Sequence, residues 1–193
     1  MQEWSLICYL LERMFRALTK IVVLAASAAA SVWPLTLQQL TPAQMTSAST
    51  AIVRGTISGS YTALNGTTIF THYTVQISET WKGAAVAAAD VALPGGALNG
   101  LRQSFPGVPV LQTGQEYVLF LWTGSKGPTQ LTGFTQGALS VRSGASGQLM
   151  VSRQATGEIM LNSLGRPIND QPVLMPLATM RATVNAALGG STH

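Results

Sequence analysis

The chain has 193 residues, a net charge of +4 and charged side chains at only 9% of positions. Its basic residues are scattered singly, so no cluster exists to neutralise the phosphates of a nucleic acid. The one cysteine is Cys8, so everything after it lacks disulfides, thiolate metal ligands and a thiol nucleophile.

Arg16 and Lys20 lead into Ile21-Val22-Val23-Leu24-Ala25-Ala26, and small residues follow from Ser27 to Ser31. A basic lead, a short apolar core and small residues at its end read as a secretory signal peptide over residues 1–30. Cleavage is expected between Ala28 and Val32. Met14 stands just before the basic lead, which makes it an alternative start that would leave residues 1–13 untranslated. Ile21 to Val32 would cover about 18 Å as a helix, against the ~30 Å of a hydrocarbon core. An uncleaved signal anchor is therefore the one membrane attachment to consider. The expected location is secreted or periplasmic.

Residues 31–190 read as a single β-rich domain. Beyond Ala30 there are 163 residues, enough for one core, with eight basic and five acidic side chains. The solvated surface must be built mainly from Thr, Ser, Gln, Asn and Gly.

Thr41 can cap a short helix with Pro42 at its first position and Gln44 at its third, ending near Ser47 to Ser49. A helical turn over Leu35 to Leu40 is the alternative. The period then changes to two. Ala51 to Gly59 reads as a strand with kinks at Gly55 and Gly59, and Asn65-Gly66 is a turn signal. Ile69 to Trp81 alternates over thirteen residues. A strand well beyond the usual five or six residues that stays two-faced tends to curl. In this reading Tyr73, Val75, Ile77 and Trp81 share one face.

Ala89 to Leu93 makes the next strand, and Leu98 to Phe105 a weak, exposed one. Pro106-Gly107-Val108-Pro109 must be irregular, because proline removes donors and restricts its neighbours. Tyr117 to Trp122 is apolar on both faces and reads as a central strand buried on two sides. Gln130 to Phe134 and Ala138 to Arg142 are further strands. Leu149-Met150-Val151 and Ile159-Met160-Leu161 are expected to form a hairpin around Ala155-Thr156-Gly157. Leu174, Leu177, Met180, Arg181, Val184, Ala187 and Leu188 recur at three and four, which predicts an amphipathic helix from Pro176 to Leu188. The expected fold is mainly β: a small barrel or sandwich of seven to eight antiparallel strands between a short N-terminal helix and a C-terminal amphipathic helix.

Ile52-Val53-Arg54-Gly55, Thr71-x-Tyr73-x-Val75, Trp81-Lys82-Gly83 and Gly114-x-Glu116-Tyr117-x-Leu119-Phe120-Leu121 follow the short helix in that order. Over roughly Leu35 to Val141 this resembles secreted bacterial β-proteins with the netrin-like, OB-type barrel of tissue metalloproteinase inhibitors. The resemblance implies a barrel. Those inhibitors hold the protease zinc through an N-terminal cysteine, and no cysteine follows residue 8 here. The inhibitory chemistry is therefore not carried over.

Few residues offer chemistry. His72 reads as a solvent-facing strand histidine, since His193 is the only other and a zinc site needs three or four ligands. Ser146 lacks the Gly-x-Ser-x-Gly pattern because Gln148 stands at its last position, and it reads as a hairpin tip. Glu79 and Glu116 could pair as in glycoside hydrolysis, but need only be strand-rim residues. Trp81, Trp122 and Tyr61 are the candidate ligand-binding aromatics, with Tyr73 a fourth aromatic in the same reading. Trp81 and Tyr73 suit the core better. Asn65-Gly66-Thr67 matches a glycosylation sequon, though the turn explains it. No catalytic, metal or cofactor residue is assigned. The expected function is a secreted, non-enzymatic binding domain for a protein or a cell-surface glycan. A carbohydrate-binding module and a small hydrolase are the rivals.

Overall fold

A computed structural model describes residues 37–125 and 127–190. The expected signal peptide and Cys8 lie outside the described residues. Among those described, no helix is long and apolar enough to cross a membrane.

The elements run β1 (Leu37–Gln38), α1 (Pro42–Ala48), β2 (Ala51–Asn65), β3 (Thr68–Lys82), β4 (Ala88–Pro94), β5 (Gly96–Leu98), β6 (Leu101–Gln103), β7 (Glu116–Thr123), β8 (Thr129–Leu131), β9 (Ala138–Ser143), β10 (Leu149–Arg153), β11 (Ile159–Leu161), β12 (Pro167–Asn169), β13 (Val173–Pro176) and α2 (Leu177–Gly189). The fold is mainly β, with a short helix before the long strands and a longer one after them. Helix α1 starts as its sequence dictates. The Gln44 amide donates to Thr41 Oγ1 at 3.2 Å, and the Thr41 amide donates back to Gln44 Oε1 at 2.8 Å. Leu37–Gln38 is strand, not a helical turn.

Eight strands form one sheet in the order β13-β10-β9-β7-β2-β3-β4-β8. The sheet is mixed, which corrects the antiparallel expectation: β8 runs parallel to β4, held by the single pair Val91 with Thr129. Strand β8 also pairs antiparallel with β7. The sheet therefore curls back on itself but is not a closed barrel. Two smaller sheets, β1-β11-β12 and the hairpin β5-β6, flank it.

The predicted hairpin of Leu149–Val151 with Ile159–Leu161 does not form. Strand β10 lies between β9 and β13, and β11 lies between β1 and β12. The cause is local. Asp170 accepts the Thr156 amide at 2.8 Å, which draws the intervening loop toward the β12–β13 connection. Leu98 to Phe105 also differs from its reading. It is a hairpin of two three-residue strands turning at Asn99-Gly100, both at positive φ.

Strands β2 and β3 pair along their whole length with register shifts. Gly55 faces Ile77 and Arg54 faces Glu79, so Ser78 is an extra residue in β3. A one-residue insertion reverses every side chain beyond it. Tyr73 and Val75 therefore fill one core and Trp81 the opposite one. That corrects the expectation that Tyr73 and Trp81 share a face.

The first core lies inside the curl and joins Val53, Ile57, Tyr73, Val91, Leu119 and Leu131. The second lies between the sheet's other face and the two helices, joining Met45, Ile52, Trp81, Phe120, Met180 and Val184. Strand β7 serves both: Tyr117, Leu119 and Leu121 face the first core, Val118 and Phe120 the second. It is a central strand between β2 and β9, as its two-sided apolar pattern requires.

Candidate functional site

The extension of β2 and β3 beyond their bulges, together with the β5–β6 hairpin, builds one rim of the curl. The other rim is a strap from Phe105 to Leu111. Its two prolines exclude regular pairing. Leu111 is buried in the first core, and the Gly107 carbonyl accepts the Thr135 amide at 3.1 Å. The Gln112 amide donates to the Tyr117 hydroxyl at 3.0 Å. Between these rims lies a cavity of about 520 Å³ at the mouth of the curled sheet. That size is within the range of small-molecule sites, and barrel mouths are a usual place for them.

Thr71, Tyr73 and Leu93 line the cavity from β3 and β4, and Ser60 and Thr62 from β2. Arg102 and Phe105 line it from the hairpin and the strap. Thr71 Oγ1 donates to the Gly95 carbonyl at 2.8 Å and Thr62 Oγ1 to the Ala97 carbonyl at 3.0 Å, so these two hydroxyls hold the hairpin in place. Gly96 sits at φ 131°, and a Cβ there would come within 2.5 Å of Thr71 Oγ1. Burial pushes the Tyr73 hydroxyl above its ordinary pKa, offset in part by the Leu111 amide. It therefore keeps its proton. Among the described residues no carboxylate lines this cavity.

Across the strap is a second cavity of about 490 Å³, lined by Tyr117, Thr135, Ser140, Arg142, Ser152 and the strap residues Val108, Pro109 and Val110. The same three strap residues line the mouth cavity. The Thr135 hydroxyl is buried without a hydrogen-bond partner among the described residues.

Tyr61 is exposed, and its ring stacks on His72 with centroids 4.7 Å apart. His72 Nδ1 lies 2.7 Å from Asp90 Oδ2. The histidine is thus packed and bonded rather than freely solvent-facing, a correction to its sequence reading. Orienting Nδ1 toward a carboxylate leaves Nε2 as the free ring nitrogen. No hydroxyl among the described residues bonds to it.

Glu79 and Glu116 do come together, but around a cation. Arg54 Nη1 lies 2.7 Å from Glu79 Oε1, and Nη2 donates to Glu116 Oε2 at 3.0 Å. Arg54 Nε is 2.9 Å from Glu116 Oε1, an ion-pair contact too bent to be a hydrogen bond. The bond to Glu116 leads in raising the Arg54 pKa. Glu79 is held below the usual carboxylate range, first by the Trp81 indole N–H and then by Arg54 and Arg181. A carboxylate fixed in its ionised form cannot serve as the acid of a glycosidase pair.

The three candidate aromatics are not gathered. Trp81 is buried in the second core, with the Arg181 guanidinium 5.9 Å from its ring centroid. Trp122 is 48% exposed and lies one residue past the Leu121–Ala51 pair. Tyr61 stands ten residues beyond Ala51, about 30 Å along β2 at the rise of a strand. No single ligand platform unites them, and none lines either cavity. The residues that do line the mouth had a sequence signal in Gly95-Gly96, Asn99-Gly100 and the proline-flanked strap. These are the breaks between strands.

Among the described residues no group of three or more His, Cys, Asp or Glu side chains is placed to hold a metal ion. No family model, curated protein or solved structure matches the chain.

Proposed function

We propose that the protein is a secreted, non-enzymatic binding domain whose ligand enters the mouth of the curled sheet. The observation that carries this reading is the cavity itself. It is of ligand size, lies between a hairpin and a strap, and is lined by hydroxyls, two aromatic rings and one arginine. A few fixed polar groups in a partly apolar cleft are what a specific binding site needs. The pairings β2–β3–β4–β8–β7–β2 support an OB-type arrangement, whose five-stranded sheet is partly open and binds through the face that β3 and β4 supply here. That in turn supports the netrin-like resemblance, without its zinc-holding cysteine.

Ser104 is exposed and lines the mouth. Ser104→Trp fills the cavity from an exposed position and replaces no residue of either core. Co-sedimentation of the purified protein with cell-envelope material should be lost in this variant and kept in the parent. Equal retention would overturn the mouth as the binding site.

The His72–Asp90 contact favours a second reading, hydrolysis. A panel of chromogenic ester and glycoside substrates tests it. Turnover abolished by His72→Ala would replace the binding reading with an enzymatic one.

A further inference from the structure

We propose that the mouth cavity and its neighbour across the strap hold one acidic polysaccharide, a polymer of uronic acid units, with one of its carboxylates paired to Arg102 and another to Arg142. This rests on the binding reading above and adds the class of ligand.

Three observations carry it. The first is continuity. Val108, Pro109 and Val110 line both cavities, so only the strap separates them, and Val110 is 74% exposed on its crest. A linear ligand can lie across it.

The second is charge. Arg102 lines one cavity and Arg142 the other, no acidic residue lines either, and neither guanidinium has a carboxylate partner among the described residues. Of the other described arginines, Arg54 pairs with Glu79 and Glu116, Arg153 with Asp170 and Arg181 with Glu79, while Arg166 lines neither cavity. A guanidinium free over a hydroxyl-lined cavity matches a planar carboxylate in shape and charge.

The third is the neutral lining. Ser60 and Ser104 in the mouth, and the unpartnered Thr135 hydroxyl in the second cavity, can each donate to or accept from a sugar hydroxyl. Phe105 offers an apolar ring to the face of a pyranose.

A peptide without acidic side chains brings one terminal carboxylate and would engage one arginine. A nucleic acid needs many more cations along its backbone. A chain that repeats a carboxylate on every sugar satisfies both sites at once.

Isothermal titration of the full chain with long oligogalacturonate, its methyl ester and a peptide with a free C-terminus tests the proposal. The acid form should bind. The ester should bind about tenfold or more weakly, as expected for the loss of charge-assisted hydrogen bonds. Arg102→Gln and Arg142→Gln should each weaken the acid form by about the same factor, with unchanged thermal melting, because both side chains are exposed and unpaired. Added salt should weaken binding of the acid form only.

Equal affinity for the ester would overturn the acidic class while leaving the mouth as a binding site. Binding of Arg142→Gln at parental affinity would overturn the two-cavity path. Tighter binding of the peptide, or no binding of the acid form, would overturn the proposal altogether. Parental affinity in Ser104→Trp would instead remove the mouth reading on which it rests.

Discussion

Asp170 is the residue with the most at stake. Its side chain is 1% exposed and faces Arg153, which is 10% exposed. Arg153 donates from both terminal nitrogens to the two carboxylate oxygens, and the Thr156 and Gln171 amides add bonds of 2.8 Å each. Burial pushes the Asp170 pKa up, but Arg153 and the two amides outweigh it and hold the group below the usual carboxylate range. Asp170→Ala leaves a buried guanidinium without its partner, and should cost about 3–5 kcal/mol in urea unfolding. The pH dependence follows the same logic. The folded value lies below the unfolded value of about 3.9, so the unfolded chain takes up the proton first on acidification. The stabilisation is complete above the unfolded value and is lost as pH falls through the folded one. Urea midpoints measured from pH 6 downward should converge between parent and Asp170→Asn in acid. A gap that stayed constant would show that the carboxylate is not ionised in the fold.

At the scale of elements, β7 and the β3 bulge decide the packing. Leu119 is fully buried between strands β2 and β9. Leu119→Ala leaves a cavity there and should cost about 2–5 kcal/mol. A melting temperature equal to the parent's would contradict the central position of β7. Ser78 is the extra residue that carries Trp81 to the helix side of the sheet. Deleting it removes the shift between Arg54 and Gly55 and turns Glu79 and Trp81 toward the wrong faces. The expected result is loss of the native fold, read as tryptophan emission shifted to that of exposed indole. A deletion variant with parental fluorescence and melting would show that the bulge is not what places Trp81.

At the scale of the molecule, two cores share one sheet. Helix α2 closes the second, with Leu177, Met180 and Val184 buried against Trp81 and Val151. Val184→Asp places a charge at a fully buried position, where an unpaired carboxylate costs several kcal/mol. It should detach α2, expose the sheet's outer face and produce binding of a hydrophobic dye. The core inside the curl lies on the sheet's other face, so circular dichroism should retain its strand signal. Loss of all structure in this variant would mean that the two cores unfold as one.

Local physics made much of this legible beforehand. The capping box at Thr41 to Gln44, the turn at Asn65-Gly66, the two-faced β7 and the amphipathic α2 depend on neighbours a few residues apart, and each formed where the pattern placed it. Strand partners were another matter. Ile159–Leu161 pairs with β1, from the other end of the domain, rather than with its sequence neighbour β10. The face that Trp81 takes depends on one inserted residue whose effect exists only across a paired strand. The mouth was the least legible feature. Its lining comes from five separate stretches between Ser60 and Leu111, individually unremarkable as Ser, Thr, Gly and Pro, and gathered only when a curled sheet brings hairpin and strap together. Periodicity and turn chemistry determined where strands and helices begin and end, because those are local free energies. Register, the curl and the convergence of distant side chains on one cavity were decided by tertiary structure alone, because they depend on contacts that no short window of sequence contains.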